Sequence, residues 1–303
     1  MTLADLIAQG GDRVLEHAPF GARTTYRVGG RVRALVTLSC DDDLNELGPI
    51  IAALNLPWRV IGNGSNLLVA DGEHDVIGVA MTGDFAKLTW NDEGEDVVVV
   101  AGGGLDLPVA ARRLAKVGVA GFEWAVGVPG TFGGAVVMNA GGHGSDMKAS
   151  VDTVRTWDMS GFRIVHRDEL AFGYRASAIG LGQLVTSVTL RLHRGVSANC
   201  ESQLRDIVRW RREHQPGGAN GGSVFQNPDG DYAARLIELA GCKGRRFGTA
   251  VVSEKHANFI IADANGLAND VFDLLCTVRD EVFQKTGVLL HSEHRFLGFT
   301  DEQ

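Results

Sequence analysis

The sequence has few of the residues that mark a disulfide-stabilised or metal-binding protein. Only four cysteines occur in 303 residues, at Cys40, Cys200, Cys242 and Cys276, and no CxxC pair is among them. Cysteines spaced this widely are typical of free thiols in a reducing compartment. We therefore expect no disulfide framework, no metal site and a cytoplasmic location.

Long hydrophobic runs and blocks of one charge are also scarce. The N-terminal residues MTLADLIAQGGDRV lack the basic start and the apolar run of an export signal. The most apolar stretch, residues 117–140, contains glycines and a proline that would break a membrane helix. The net charge of −8 is spread along the chain. We therefore predict no membrane segment and no nucleic-acid surface.

Glycine, in contrast, is abundant, with 40 residues. In the stretch 127–144, GVPGTFGGAVVMNAGGHG, glycine or alanine fills nine of the eighteen positions. Because glycine costs a folded chain backbone entropy, such a density predicts turns with positive φ or a close approach of the backbone to a bound group.

Two other glycine-rich turns are candidates for phosphate binding. VVVVAGGGLDLPVAARRLAKVG is similar to a dinucleotide-binding fingerprint, but Leu107 stands where the third glycine belongs, so we interpret it as a tight strand-to-helix turn. In IGNGSNLLV, residues 61–69, successive backbone amides can form an anion-binding nest. An Asn-Gly hairpin turn explains these residues equally well, and the residues alone leave both interpretations open.

The order of apolar segments predicts an α+β fold in three parts. Short strands such as RALVTLS and VIGVAMTG surround a crossover helix, NELGPIIAALNL, and a second strand-rich part begins near Phe85. After Arg194, amphipathic helices alternate with strands, the last of them GVLLHSEHRFLGF. The segment NDVFDLLCTVRDEVFQKTG predicts a helix that ends at Gly287. Its predicted buried face consists of Val271, Leu274, Leu275, Val278 and Val282.

Eight motifs occur in one order along nearly the whole chain. They are TYRVGG, IGNGSNLLVADG, GFEWAVGVPGTFGGAVVMNAGGHG, FGYRAS, GGSVFQNP, LIELAGCKG, VSEKHANFI and GVLLHSEHRFLG. Together they resemble the UDP-N-acetylenolpyruvoylglucosamine reductase family (UDP-N-acetylmuramate dehydrogenases), flavoenzymes of bacterial cell-wall and peptidoglycan precursor synthesis. The chain resembles the subtype that lacks an extra tyrosine-bearing loop.

The resemblance implies an FAD-binding fold of the vanillyl-alcohol-oxidase type in two α+β subdomains, followed by an α/β substrate-binding domain. We predict FAD-binding subdomains at 1–84 and 85–194 and the substrate-binding domain at 195–303. FAD is expected to bind noncovalently, so His143 is interpreted as a loop residue rather than an attachment point. Backbone amides of Gly130, Thr131 and Gly134 are expected donors to the cofactor, and Asn139 is expected to reach the polar edge of its ring.

The residues implied to bind FAD lie in TYRVGG and in the two glycine-rich stretches. They are Arg27, Gly62, Asn63, Gly64, Ser65, Asn66, Leu67, Gly127, Val128, Pro129, Gly130, Thr131, Gly133, Gly134, Ala135, Asn139, Ala140 and Gly141.

The resemblance also implies a reaction, in which NADPH reduces the flavin and the flavin then reduces the enolpyruvyl ether of a UDP-sugar. Arg175 in FGYRAS, Ser223 in GGSVFQNP and Glu293 in LLHSEHRFLG match the family's catalytic arginine, its proton donor and the glutamate that stabilises the enol form. Taken alone, these three residues are more typical of a surface ion pair, a turn-capping hydroxyl and a solvated strand-end carboxylate, and it is their place in the motifs that favours the catalytic roles. The implied substrate-binding residues are Tyr174, Asn227, Lys255 and His256.

The chain departs from the family pattern near these residues. Ala219 and Asn220 replace a stiffer approach to Ser223, Gln226 replaces a lysine, and His291 and Ser292 replace Glu-Pro before Glu293. Two alternatives to the reductase therefore stay open: another FAD-dependent oxidoreductase of this fold acting on a different sugar or alcohol, and a catalytically silent sugar-nucleotide-binding relative. The presence of the arginine, the serine and the glutamate argues against the silent relative. We expect a small-molecule UDP-sugar substrate and no obligate protein partner.

Overall fold

The computed structural model describes residues 1–299 and divides into two compact units. The first unit comprises Met1–Glu16, Ala34–Asn63 and Asp75–Arg211, and the second comprises His17–Arg33, Gly64–His74 and the chain from Arg212 onward. The predicted boundaries at 84/85 and 194/195 do not coincide with these limits, and the three-part division stays a prediction.

Helices and strands are mixed along the chain, as the α+β prediction requires. The α-helices are α1 (Leu3–Gly10), α2 (Asp41–Ala53), α3 (Leu107–Lys116), α4 (Phe132–Val137), α5 (Met147–Ser150), α6 (Ser197–His214), α7 (Ala233–Leu239) and α8 (Ala268–Thr286). The strands are β1 (Val14–Ala18), β2 (Arg31–Leu38), β3 (Trp58–Val60), β4 (Leu67–Val69), β5 (Glu73–Met81), β6 (Leu88–Glu93), β7 (Asp96–Gly102), β8 (Val119–Ala120), β9 (Gly141–Gly142), β10 (Ser145–Asp146), β11 (Val151–Asp158), β12 (Gly161–His166), β13 (Leu184–Arg194), β14 (Arg246–Phe247), β15 (Ala250–Val252), β16 (Ile260–Ala262) and β17 (Arg295–Leu297).

A four-stranded sheet in the order β1-β2-β5-β3 carries the predicted crossover helix. Helix α2 connects β2 to β3, but β5 lies between these two strands and pairs with β3 in parallel. Leu44, Leu47 and Ile51 of α2 are buried in one apolar cluster with Ile77 of β5. The helix therefore covers the sheet with the apolar face that its sequence predicts.

The larger sheet of the first unit has the order β12-β11-β13-β7-β6, and β8 pairs with β13. Each of these strand pairs is antiparallel. Val97, Val99 and Ala101 of β7 are completely buried, whereas Val100 between them is exposed. This alternation places every second side chain in the core. Helix α3 and Phe132 of α4 belong to the same core.

The second unit contains the antiparallel sheet β14-β15-β16 and the helices α7 and α8. The predicted inner face of α8 is confirmed, because all five of its apolar residues are buried. The helix ends at Gly287, whose φ of +74° is the left-handed conformation that glycine adopts at helix ends. Strand β17 pairs in parallel with β4.

Within residues 1–299, no helix is both long enough and apolar enough to cross a membrane. Over the same range, no group of three or more histidine, cysteine, aspartate or glutamate side chains is placed to hold a metal ion.

Candidate active site

The two predicted cofactor-binding stretches touch within the first unit. A Cβ atom at Gly62 would lie 2.3 Å from the Thr131 hydroxyl oxygen, so the packing of the chain itself requires glycine there. Asn63 Nδ2 donates to Asp106 Oδ1 at 2.8 Å, and Asp106 forms an isolated antiparallel bridge with Thr131. Asp106 stands at the N-cap of α3, but its side chain makes no capping hydrogen bond.

The glycines of residues 127–144 serve two different purposes. A Cβ atom at Gly133 would lie 3.1 Å from the Gly103 carbonyl oxygen, and one at Gly141 would lie 2.7 Å from Asp146 Cβ. The packing of the chain accounts for these glycines. A Cβ atom at Gly134 would meet only Thr131 Oγ1, at 3.7 Å, and one at Gly142 would meet nothing within 4 Å. The chain itself therefore leaves room beside Gly134.

The backbone amides of this stretch are partly used by the protein. Gly130 N donates to the Val128 carbonyl at 2.9 Å, and Gly133 N donates to the Gly103 carbonyl at 2.7 Å. The Gly130 amide is thus occupied in this structure, although it is one of the three predicted donors to the cofactor. The contacts of Gly130, Thr131 and Gly134 with FAD stay predictions.

Asn139 is buried and uses its whole side-chain amide inside the protein. Its Nδ2 donates to the Gly173 carbonyl at 3.0 Å and to Asp146 Oδ2 at 3.3 Å, and its Oδ1 accepts from the Lys148 amide at 3.0 Å. Its φ of +38° is the left-handed conformation that asparagine tolerates. The geometry gives Asn139 a structural role beside the ring contact that the sequence predicts.

The Gly173 carbonyl that Asn139 holds begins the turn that carries Arg175. Gly173 and Ala176 pair as an antiparallel bridge, with Gly173 N donating to the Ala176 carbonyl at 3.0 Å. Arg175 stands at the tip with φ of +51°. Its guanidinium carbon lies 5.8 Å from the centre of the Tyr174 ring, which is 64% exposed.

The second half of the GNGSN turn belongs to the second unit. Gly64 has φ of +57°, and its carbonyl accepts from the Thr25 amide at 3.3 Å. Asn66 Nδ2 donates to the Glu293 carbonyl at 2.9 Å, and the Asn66 carbonyl accepts from the Arg295 amide. Arg27 is exposed with φ of +57°.

Ser223 and Glu293 lie on neighbouring segments of the second unit. The Glu293 amide donates to the Val224 carbonyl at 2.8 Å, and the Gln226 amide donates to the His291 carbonyl at 2.9 Å. Both proposed catalytic side chains are half-buried. The predicted strand GVLLHSEHRFLGF is therefore wrong over most of its length, because it bonds to residues 224–226 in an irregular way and becomes regular only at Arg295–Leu297.

A buried asparagine holds the serine segment from the other side. Asn258 Oδ1 accepts from the Phe225 amide at 2.9 Å, and Asn258 Nδ2 donates to the Phe225 carbonyl at 2.8 Å. The side chain thus pairs with Phe225 as a neighbouring strand would. Sequence analysis missed this role, for which the only signal is a polar residue inside the apolar run HANFII.

The four predicted substrate-binding residues fall in both units. Tyr174 lies in the first unit and the other three lie in the second. Asn227 Oδ1 accepts from the Ala233 amide at the start of α7, and Lys255 is exposed. His256 is half-buried, and burial lowers its pKa.

Comparisons with known proteins find the same family that the motifs resemble. The family model for the C-terminal domain of UDP-N-acetylenolpyruvoylglucosamine reductase matches residues 214–297, and a model for an FAD binding domain matches residues 32–164. The UDP-N-acetylenolpyruvoylglucosamine reductase of Paramagnetospirillum magneticum is 38% identical over 97% of this chain and 95% of that protein. The enzyme of Synechococcus sp. is 40% identical over 94% of this chain and 93% of that protein.

The chain belongs to the UDP-N-acetylenolpyruvoylglucosamine reductase family. The solved reductase of Thermus caldophilus agrees in structure, with a TM-score of 0.80 and 32% identity over 92% of this chain and 97% of that chain. The predicted α+β fold with its FAD-binding part is confirmed, and FAD is the cofactor.

The residues present fit an FAD molecule. Among residues 1–299, two buried side-chain atoms have no hydrogen-bond partner in the protein: Thr25 Oγ1 and Trp124 Nε1. Thr25 adjoins the GNGSN turn, and Trp124 precedes the glycine-rich stretch by three residues. A buried polar atom without a partner costs about 1–3 kcal/mol, so a bound group with hydrogen-bonding atoms would be stabilising beside either one. Within the first unit, the open space beside Gly134 is also consistent with a bound group.

Proposed function

We propose that this chain reduces the enolpyruvyl ether of UDP-N-acetylglucosamine-enolpyruvate to UDP-N-acetylmuramate, with NADPH as the reductant, in peptidoglycan precursor synthesis. The observation that carries the proposal is the pairing of the segments of Ser223 and Glu293, joined by the hydrogen bond from the Glu293 amide to the Val224 carbonyl at 2.8 Å. The segments that carry the proposed proton donor and the proposed acidic group are thereby neighbours in the second unit.

Reduction of the vinyl ether adds a hydride and a proton across its double bond. Noncovalently bound FAD supplies the hydride chemistry, and the residues proposed to hold it are those of the two glycine-rich stretches and Arg27. Negative charge that develops toward the substrate carboxylate requires a cationic partner. The guanidinium of Arg175 can bind a carboxylate through two parallel hydrogen bonds and so stabilise that charge.

Ser223 is proposed to donate the proton that C2 of the enolpyruvyl group receives. Its hydroxyl has no hydrogen-bond partner among the described residues, so it is not committed to another acceptor. A serine is a weak acid, but the enolate carbon is strongly basic, and position is what the protein must supply. Glu293 is proposed to stabilise the enol form, and Tyr174, Asn227, Lys255 and His256 to bind the UDP-sugar.

We also propose a cellular location, a class of partner and a role for each part of the chain. We infer a cytoplasmic location, where a UDP-sugar and NADPH are both available, and a small-molecule substrate without an obligate protein partner. The subdomains at 1–84 and 85–194 are proposed to bind FAD and residues 195–303 to bind the substrate. Limited proteolysis with and without each ligand would test this assignment.

NADPH oxidation that depends on the enolpyruvyl substrate is the direct test. We expect the purified protein to be yellow, to release intact FAD on acid denaturation, and to oxidise NADPH only when the UDP-sugar is present. Glu293→Gln should keep near-normal flavin reduction by NADPH and slow the reoxidation by substrate. Oxidation of NADPH with no dependence on this substrate would favour a different FAD-dependent oxidoreductase.

Ser223 variants test the proton donor. Because the loss of a general acid typically costs ~10²–10⁴-fold, Ser223→Ala should lower turnover by that order while flavin reduction stays nearly intact. Ser223→Cys should recover part of the rate, since a thiol is a donor of similar size. Turnover of Ser223→Ala within about threefold of the unsubstituted protein would assign the proton to another group, with His256 the first to examine.

A further inference from the structure

A buried tyrosine and a buried histidine meet beside the segments of Ser223 and Glu293. The Tyr26 hydroxyl lies 2.8 Å from His294 Nε2, and the two rings pack edge to face with their centres 5.5 Å apart. Tyr26 is completely buried and His294 is 5% exposed. The proposed mechanism uses neither side chain.

The hydrogen bonds around His294 have a defined direction. Asn66 Nδ2 donates to the Glu293 carbonyl, so Asn66 Oδ1 is the atom that faces His294 Nδ1, at 3.3 Å. Because an amide oxygen only accepts, Nδ1 must carry the hydrogen. Burial lowers the pKa of His294 to about 4, so the ring is neutral near pH 7 and Nε2 accepts from the Tyr26 hydroxyl.

The tyrosine and histidine rings also contact the serine segment, through the backbone of Gly221. A Cβ atom at Gly221 would lie 2.6 Å from Tyr26 Cε2 and 2.9 Å from His294 Nε2, so the backbone itself lies against both rings. Gly221 precedes Ser223 by two residues, in the approach where the sequence departs from the family pattern.

Three hydrogen bonds and one backbone contact therefore link the two segments. Hydrogen bonds run from Tyr26 through His294 and Asn66 to the Glu293 carbonyl, and the Gly221 backbone packs against the Tyr26 and His294 rings. We propose that Tyr26, His294 and Asn66 are positioning residues that fix the Ser223 and Glu293 segments relative to each other for the reduction. This inference rests on the proposed function.

The physical reason is the flexibility of the chain before Ser223. Gly221 and Gly222 impose little conformational preference of their own, and Gly222 has φ of +83°. A fully satisfied buried network can specify one arrangement where the backbone does not. Misplacement of a catalytic group by about 1 Å can cost on the order of 10²-fold in rate, so such positioning has a measurable effect.

The first test observes the network without using activity. Heteronuclear NMR of the FAD-loaded protein should show His294 as the neutral tautomer with hydrogen on Nδ1. Tyr26→Phe removes only the hydroxyl and should shift the Nε2 resonance, because Nε2 then loses its donor. A ring protonated on Nε2 would overturn the proposed path.

The second test separates positioning from packing. In Tyr26→Phe, reoxidation of the flavin by the enolpyruvyl substrate should slow by about tenfold or more, while reduction by NADPH should stay within about twofold. Val252→Ala is the matched control, because Val252 is a completely buried core residue of the same unit. It should lower the melting temperature and leave both half-reactions unchanged.

Other outcomes would contradict the proposed positioning role. Equal slowing of both half-reactions in Tyr26→Phe, or no slowing of reoxidation, would make the path a feature of packing only. If the unsubstituted enzyme is reduced by NADPH but not reoxidised by the enolpyruvyl substrate, the proposed function fails and the positioning role fails with it. In that case the Nδ1 tautomer would still establish the hydrogen-bond path itself.

Discussion

Asn66, Asn139 and Asn258 use their side-chain amides in the same way. Each donates to a backbone carbonyl at or within two residues of a proposed catalytic residue: that of Glu293 itself, Gly173 before Arg175, and Phe225 after Ser223. An asparagine amide carries both donors and an acceptor, so it can satisfy an irregular segment as a neighbouring strand would. Loops that carry reactive side chains are thereby fixed without regular secondary structure.

Asn139 allows the contribution of its amide to be measured. Replacement by glycine keeps the left-handed backbone and removes the hydrogen bonds, so Asn139→Gly should lower the free energy of unfolding by about 1–3 kcal/mol. Asn139→Ala should cost about 1 kcal/mol more, because alanine is strained at φ of +38°. Denaturant unfolding checks both values.

An exposed asparagine provides the control for that comparison. Asn91 lies exposed on β6, and Asn91→Ala should change the free energy of unfolding by less than about 0.5 kcal/mol. Equal stability of Asn139→Gly and the unsubstituted protein would mean that the buried amide contributes nothing net to the fold.

The sequence predicts the positions of residues near the site more accurately than it predicts the role of each residue. Asn66 and Asn139 stand in glycine-rich loops, where a polar side chain is typical of ligand binding, and the motifs predict an FAD contact for both. The structure shows their amides bonded to Glu293 and Gly173, which are 227 and 34 positions away. A partner at that separation is set by tertiary packing, and a single sequence contains no signal for it.

Helix α4 contains two neighbouring glycines, and the packing of the protein itself requires only the first of them. A Cβ atom at Gly133 would press on the Gly103 carbonyl, whereas the space at Gly134 is open. Alanine is also the better helix former. We therefore expect Gly134→Ala to raise the stability of the FAD-free protein by up to about 1 kcal/mol, and to weaken FAD binding.

Gly133→Ala is the matched substitution one position earlier. It should destabilise the FAD-free protein by about 1–3 kcal/mol, because the neighbouring backbone must move to admit the methyl group. Thermal melting of the FAD-free variants and titration of flavin fluorescence measure the two effects separately. Unchanged FAD affinity in Gly134→Ala would remove this glycine from the cofactor site.

Regular elements are predictable where burial alternates with a fixed period. The apolar face of α8 and its end at Gly287 follow from spacing and from the conformational freedom of glycine, and both are confirmed. GVLLHSEHRFLGF has the composition of a strand, yet only Arg295–Leu297 is one. The preceding residues bond to the 224–226 segment in an irregular register, which depends on the loop they meet and not on their own pattern.

The two units differ in their buried titratable groups. In the second unit, burial lowers the pKa of His294 to about 4, and burial also lowers the pKa of His256. In the first unit, burial alone would raise the pKa of Asp43, but hydrogen bonds from Ser39 and the ion pair with Arg13 lower it to about 2. His143 has a pKa lowered by burial and by Arg211, but it is exposed, so its contribution is small.

These pKa changes act on stability in different pH ranges. The unfolded chain binds a proton at His294 below its ordinary pKa of 6.5, whereas the folded unit stays neutral there until about pH 4. The contribution of the neutral His294 ring to the free energy of unfolding is therefore complete above pH 6.5, and it is lost as the pH falls toward 4. Asp43 contributes above pH 3.8, and its contribution is lost between 3.8 and about 2.

Acidification should consequently weaken the second unit first. A tenfold difference in proton affinity between the folded and unfolded states corresponds to about 1.4 kcal/mol. Lowering the pKa of His294 from 6.5 to about 4 therefore predicts a loss of about 3 kcal/mol in the free energy of opening of the second unit between these pH values.

Hydrogen exchange measured by mass spectrometry should show peptides from residues 212–299 losing protection in this range. All five tryptophans (Trp58, Trp90, Trp124, Trp157 and Trp210) lie in the first unit, so their fluorescence should stay constant until lower pH. His294→Leu removes the titrating ring and should flatten the pH dependence of residues 212–299. If that dependence is unchanged in His294→Leu, or if tryptophan fluorescence changes before the exchange does, buried His294 does not set the acid sensitivity of the protein.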